Sequence, residues 1–314
     1  MTQNTNDQVL AGPASRATTG SRAGGILALV RALRPRQWIK NSVIFAALVF
    51  SRGLTDKTHL LRSLAAFALF CAVSSAVYLL NDILDLDNDR AHPTKSRRPI
   101  AAGELSIGLA GSAGAALAAS ALALSYLLSP AFAAMAGIYL ASNILYSLWL
   151  KKVVIVDVMI ISSGFVIRAV AGGLVIGVEV SAWLILCTIL LSLFLGFTKR
   201  RQELAQLESQ AASHRAILKE YSIAFLDQMI SIVTAATLVA YFLYTLAPET
   251  RAKLGTPYLP LTIPFVLYGI FRYLYLVHQR NMGESPTGAL YADRALLLDV
   301  TLWAAAAVAI LYVR

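Results

Sequence analysis

The chain is short of charge, and shortest of acid. Only 14% of its 314 residues are charged, with 17 Asp and Glu against 27 Lys and Arg, while 58% are hydrophobic. That balance rules out counting soluble domains by length. Cysteine is nearly absent. Cys71 and Cys187 both fall in apolar segments and supply neither a disulfide framework nor a metal motif. His59, His92, His214 and His278 lack metal-ligand spacing, and none is assigned catalysis. Aromatic-interleaved basic patches are missing too, so the net charge of +10 gives no cause to invoke nucleic acid. Residues 1–25 are polar and small, without the apolar core of a signal peptide. They are expected to form a disordered cytoplasmic tail, leaving 26–314 as one transmembrane domain.

What is present is a series of apolar runs of bilayer length. Nine spans are expected, near 37–54, 59–82, 106–127, 131–150, 153–175, 181–199, 222–246, 257–278 and 292–313. The chain therefore reads as an all-α, polytopic membrane protein. The first span is weak on apolar length. An amphipathic stretch, Ile26 to Leu33, precedes it, and Trp38 suits a headgroup-level anchor. With the N-terminus inside, most Lys and Arg fall in inner segments. Only Arg52, Lys57, Arg251, Lys253 and Arg314 fall outside, and Arg62 and Arg168 lie within spans. This bias predicts a cytoplasmic N-terminus and an inner face rich in function.

The scarce acids concentrate at one place. Residues 81–89 read Asn-Asp-Ile-Leu-Asp-Leu-Asp-Asn-Asp, at the end of the second span. On a continuous helix Asn81, Asp82, Asp85 and Asp89 share one face. Three carboxylates stacked that way repel one another unless a cation joins them. Their hard oxygens suit Mg²⁺, with Mn²⁺ as the substitute, and Mg²⁺ completes its shell with water and substrate phosphate. A diphosphate-handling site is expected there. A polar helix end dipping into water is the plainer alternative.

Bases follow the acids closely. Arg90, Lys95, Arg97 and Arg98 fall in a loop shaped by Pro93, Pro99 and Gly103. Arginine clamps phosphate with two parallel bonds, and lysine acts as a point charge. Positive-inside anchoring accounts for any one of these bases as well as phosphate binding does, but less well for the set of four beside the acids. Other polar groups gather on the inner side: Arg36 to Asn41, including Lys40; Tyr146 to Lys152, including Lys151; and Lys199 to Glu203. Asp157 and Arg168 fall inside the fifth span, about 16 Å apart along a helix and on nearly one face, with Gly164 between them. Asp157 is expected to face a cavity. Arg168 reads equally well as a cavity residue or as half of a structural pair.

The stretch Asn81-Asp82-x-x-Asp85-x-x-x-Asp89 resembles the first aspartate motif of the UbiA superfamily of intramembrane prenyltransferases. Further segments resemble one branch of it, the decaprenyl-phosphate phosphoribosyltransferases. They are Arg34-Pro-Arg-Gln-Trp-Ile-Lys-Asn41, Asp89 to Lys95, Arg98-Pro-Ile-Ala-Ala-Gly103, Leu145-Tyr-Ser, Ser163 to Gly172, and Lys199-Arg200 with Glu203-Leu204. The resemblance implies a nine-helix bundle around a lipid-accessible cavity. It also implies transfer of phosphoribose from phosphoribosyl pyrophosphate (PRPP) to a polyprenyl phosphate, with Mg²⁺ on Asn81, Asp82, Asp85 and Asp89. Lys95, Arg97, Arg98, Lys199 and Arg200 become candidates for the PRPP phosphates. Lys40 and Lys151 become candidates for the lipid phosphate, and Tyr146 and Asp157 for the ribose pocket. Prenyl-transferring members carry a second acid pair after the sixth span. Here that place holds Lys199, Arg200, Arg201 and Glu203. Two other readings remain open: prenylation of an aromatic acceptor, and transport or lipid binding without chemistry. For a homo-oligomer, the small-residue stripe Ala110 to Ala121 is the expected contact.

Overall fold

A computed structural model describes residues 22–209, 220–283 and 285–313. Most of the expected tail, and the middle of the segment between spans six and seven, lie outside the described residues. Residues 22–25 are helical rather than part of a tail. They open α1 (Arg22–Ala32).

Among the described residues, eight helices are long and apolar enough to cross a membrane. They are α3 (Lys57–Leu84), α5 (Ile107–Leu128), α6 (Pro130–Leu148), α7 (Val156–Ile176), α8 (Ala182–Ser209), α9 (Ile223–Leu246), α11 (Ile263–Arg280) with the 3₁₀ turn before it, and α13 (Arg294–Tyr312). Short helices α2 (Phe45–Phe50), α4 (Leu86–Ala91), α10 (Pro248–Leu254) and α12 (Pro286–Ala292) join them. The starts follow capping chemistry. Asp56, Ser106, Ser129, Ser222 and Asp293 each accept a backbone N–H of the first turn, and Pro130 follows Ser129 at the first helical position. Leu127 and Leu124 stand 80% and 53% exposed on the outside of α5, an apolar surface suited to lipid.

The first expected span is not one regular α-helix. Residues Pro35–Ile44 form a 3₁₀ segment, about 20 Å by its rise, and α2 adds six residues, about 9 Å, together close to the hydrocarbon core of about 30 Å. Polar contacts draw this segment into the bundle. Asn41 is buried and donates to Ser74 Oγ, and Trp38 donates to Ser75 Oγ at 3.0 Å instead of anchoring at a headgroup. Gly172 of α7 makes the close approach feasible. A Cβ there would stand 2.1 Å from the Ile44 carbonyl oxygen.

The long helices pack in chain order from α3 through α9, and α11 packs on both α9 and α13. One core joins α7, α8, α9, α11 and α13 around Phe194, Leu226, Ile230 and Tyr273. A second joins α2, α3, α6 and α7 around Phe70, Phe132 and Val175. Tyr312 closes the ring. Its hydroxyl donates to the Val49 carbonyl and accepts from the Leu54 amide, each at 3.1 Å. At the end of α3 away from the acids, Arg62 donates to the carbonyls of Val175 and Leu128, at 2.8 and 2.9 Å. It thereby caps the C-terminal ends of α7 and α5. The small residues Ala110, Gly114 and Ala121 are buried inside the chain, with Gly114 facing Leu79 of α3. One edge of the expected oligomer stripe is thus used in the monomer's own packing, while Ser112, Ala115, Ala116, Ala119 and Ser120 are exposed. Both cysteines are free.

Candidate active site

The acid motif is not one continuous helix. Helix α3 ends at Leu84, Asp85 caps it in a turn, and α4 starts at Leu86. The break turns the acids toward different partners. Arg98 Nη1 donates to Asp82 Oδ1 at 3.1 Å and to Asp89 Oδ2 at 2.5 Å. Arg34 pairs with the same Asp82 oxygen, and its guanidinium lies 5.0 Å from the centre of the Tyr78 ring. Lys151 Nζ donates to Asp85 Oδ1 at 2.6 Å. Ser147 donates to the Asn81 side-chain carbonyl. The repulsion expected of stacked carboxylates is therefore relieved by three bases from three other parts of the chain. Among the described residues, no trio of acids, histidines or cysteines is close enough to chelate a metal as it stands.

One atom is left over. Asp82 Oδ2 is buried and has no hydrogen-bond partner. Such an orphaned carboxylate oxygen costs free energy unless something positive approaches it. With the hard oxygens of Asn81, Asp85 and Asp89 alongside, the donor set fits a divalent cation. Burial draws the Arg34 guanidinium below its ordinary value, and neighbouring Asp82 pulls the other way. Arginine stays charged under either influence.

The loop after the acids has a definite shape. Gly103 takes φ +76°, and the amides of Glu104 and Leu105 both donate to the Pro99 carbonyl, at 2.9 and 3.0 Å. This fold-back buries Pro99 and Ile100 and seats Arg98 beside the acids. Lys95 and Arg97 belong to a 3₁₀ turn on the rim, where Arg97 is exposed.

The second polar cluster is built differently. Arg200 is only 1% exposed, and each of its three nitrogens has a protein partner: Asp157 at 2.6 Å, Tyr146 at 3.2 Å, and Glu203. Asp157 is fully buried and also accepts from the Tyr221 hydroxyl at 2.8 Å. The structure pairs these three residues with one another: Arg200 is occupied by acids, and Asp157 and Tyr146, both buried, hold it. A buried charge persists in a membrane only where it is paired, and this pairing consumes all three. Burial pushes the Tyr221 hydroxyl up to about 12, so it remains a donor. Lys199, by contrast, is 39% exposed and lies 3.8 Å from Glu203.

Arg168 resolves as structural. It donates to Asn41 at 2.7 Å, to the Gly164 carbonyl at 2.7 Å and to the Tyr139 hydroxyl at 2.8 Å, and packs over the Tyr139 ring. Lys40 stands half-buried nearby, and the charges that act on it, Lys199, Arg168 and Arg34, are all positive. Such a setting favours an anion. Sequence reasoning missed the role of Arg34, whose only signal was its place in the Arg34-Pro-Arg segment. It also missed Ser147, and the Arg201–Asp227 pair at 2.5 Å.

Comparison with known proteins agrees with this architecture. Residues 42–291 match the model of the UbiA prenyltransferase family. A decaprenyl-phosphate phosphoribosyltransferase of Mycolicibacterium smegmatis is 34% identical over 290-odd positions, 91% of this chain and 93% of that protein. The protein of the same name from Corynebacterium glutamicum is 32% identical over 91% of this chain and 87% of its own length. Among solved structures, a UbiA homolog from Archaeoglobus fulgidus bound to GPP and Mg²⁺ superimposes with a TM-score of 0.67. It is 19% identical and is matched over 91% of this chain and 100% of that one. The chain is a membrane-embedded enzyme of the UbiA prenyltransferase family.

Proposed function

We propose that the protein transfers 5-phosphoribose from PRPP to a polyprenyl monophosphate and releases pyrophosphate, at the cytoplasmic face of the membrane. The observation that carries this reading is the orphaned oxygen of Asp82, set among Asn81, Asp85 and Asp89 and ringed by Arg34, Arg98 and Lys151. Acids and bases interleaved this way suit a metal diphosphate better than a bare cation or a bare anion. The names of the relatives from Mycolicibacterium and Corynebacterium support the donor and acceptor classes.

In the reaction an oxygen of the lipid phosphate forms a bond to the ribose C1. The bond from C1 to the diphosphate oxygen breaks, and its electron pair leaves with pyrophosphate. The acceptor is ionised near neutral pH, so no side chain must remove a proton. Asn81, Asp82, Asp85 and Asp89 would hold Mg²⁺, or Mn²⁺ in its place. The ion supplies neutralisation of charge on the leaving diphosphate. Arg34 and Arg98 orient the diphosphate, with Lys95 and Arg97 on the approach. Lys199 takes the remaining phosphate of the donor, and Lys40 and Lys151 take the lipid phosphate. Inversion at C1 is expected of a direct displacement.

Prenyl transfer to an aromatic acceptor is the reading to beat. The Lys199 to Glu203 segment, with bases where a second acid pair is expected, favours a substrate set with more phosphates. The test is direct. Purified protein is incubated with Mg²⁺, PRPP and polyprenyl phosphates of several lengths, and the lipids are weighed by mass spectrometry. A phosphoribosylated lipid is the expected product. Product formed only from a prenyl diphosphate and an aromatic acceptor overturns the proposal.

A further inference from the structure

The link between α6 and α7 contains a strained turn. Ile155 takes φ 69°, ψ −45°, and the Val156 amide donates to the Val154 carbonyl at 2.8 Å. This is a three-residue γ-turn of the rarer, positive-φ kind. A β-branched residue is a poor occupant of that region, because its Cβ crowds the backbone. Packing does not explain it, since Ile155 is 39% exposed. What holds it is a hydrogen bond. The Ile155 amide donates to the Tyr221 hydroxyl at 2.6 Å, and that hydroxyl donates in turn to Asp157.

The same buried network grips the other end of the link. Arg200 reaches Tyr146 at the end of α6, and the neighbouring Ser147 is tied to Asn81. Between the two clamps lies one short 3₁₀ turn, Leu150–Lys152, which carries Lys151 to Asp85. Strain maintained by its surroundings, next to a residue of a reactive site, has the character of stored positioning.

We propose that Tyr221 is a positioning residue. It latches Ile155 into the strained turn and thereby aims Lys151 at the acid motif, so that the start of α9 governs a group at the far side of the site. The catalytic consequence rests on the function proposed above; the mechanical one does not.

The experiment uses Tyr221→Phe, which keeps the ring and removes the hydroxyl. Lys151 is probed by reductive methylation and mass spectrometry on the full-length protein in detergent, with the neighbouring exposed Lys152 as internal reference. Labelling of Lys151 relative to Lys152 is expected to rise severalfold. Turnover at sub-saturating lipid is expected to fall about five- to tenfold, the size of one hydrogen bond, mostly through KM for the lipid. Adding Ile155→Gly, which takes positive φ at little cost, should recover at least half of both effects. In the wild type, the Ile155 amide should exchange its hydrogen slowly. Unchanged Lys151 labelling, no recovery with glycine, or a rapidly exchanging Ile155 amide each overturns the latch. Labelling needs no substrate. A wild type inert to PRPP would therefore sink the proposed reaction and leave the latch standing or falling on its own result.

Discussion

Two ion-pair clusters sit on the same side of this bundle, and they are opposites. Around Asp82, acids from the end of α3 and from α4 are met by bases borrowed from Arg34, Arg98 and Lys151. Those bases are partly open, at 26%, 27% and 17% exposure, and one carboxylate oxygen is left without a partner. Around Arg200, a base from α8 is met by Asp157, Glu203 and Tyr146, and the pair with Asp157 is sealed, at 1% and 0%. The residue types are the same. What differs is whether the pairing is complete. Complete, buried pairing makes a brace; incomplete, accessible pairing leaves room for a ligand with charge of both signs. Residue identity alone does not distinguish them.

The comparison can be broken most severely by removing the ligand side of the open cluster. Excess chelator should abolish turnover and leave the thermal unfolding midpoint in place; full turnover in chelator would mean the open cluster is merely another brace. The sealed cluster should respond in the opposite sense. Arg200→Met strands Asp157 as an uncompensated buried charge, so unfolding should become easier by about 3–5 kcal/mol, with Asp157→Asn recovering part of the loss. An unfolding transition left unchanged by Arg200→Met would remove the distinction drawn here.

Smaller changes sharpen it. Asp82→Ala should lower kcat by about a hundred- to a thousandfold, the scale of one lost electrostatic contact in a reactive site. Its unfolding midpoint should hold, because Arg98 keeps Asp89 and Arg34 keeps Tyr78. A variant retaining more than about a tenth of wild-type rate, ~1.4 kcal/mol of barrier, would take Asp82 out of the site. The smallest effect is expected at Lys151→Ala, about tenfold, the worth of one charge-assisted contact. It should appear in KM for the lipid more than in KM for PRPP; the reverse pattern would move Lys151 to the donor.

The acid motif, the spans after the first and the loop bases were legible in the sequence because each is a local pattern. Hydropathy over twenty residues finds a helix, and Asp82, Asp85 and Asp89 announce themselves within one line of text. The pairings were not legible. Asp82 meets Arg34 from 48 residues away, and Asp85 meets Lys151 from 66. Only packing brings them together. The break at Asp85 was hidden because helix periodicity continues through it. The 3₁₀ form of the first span was hidden because its polar side chains find their partners on α3 and α7, far along the chain. The partners of Arg200 were hidden for a subtler reason: a base at the end of a membrane helix reads as phosphate-seeking, yet the acids it meets come from its own next turn and from another helix.

Arg62 joins three helices through acceptors that are backbone carbonyls. Every residue type carries a carbonyl, so no side-chain replacement at Leu128 or Val175 can delete either acceptor. The instructions for a three-helix joint are thus written at a single codon. The joint tolerates drift on two of its three members and has one point of failure on the third. It also lies about 30 Å from the acids, by the rise of the twenty residues of α3 between them. A small rotation there is multiplied by the length of the lever into a large displacement at the reactive end.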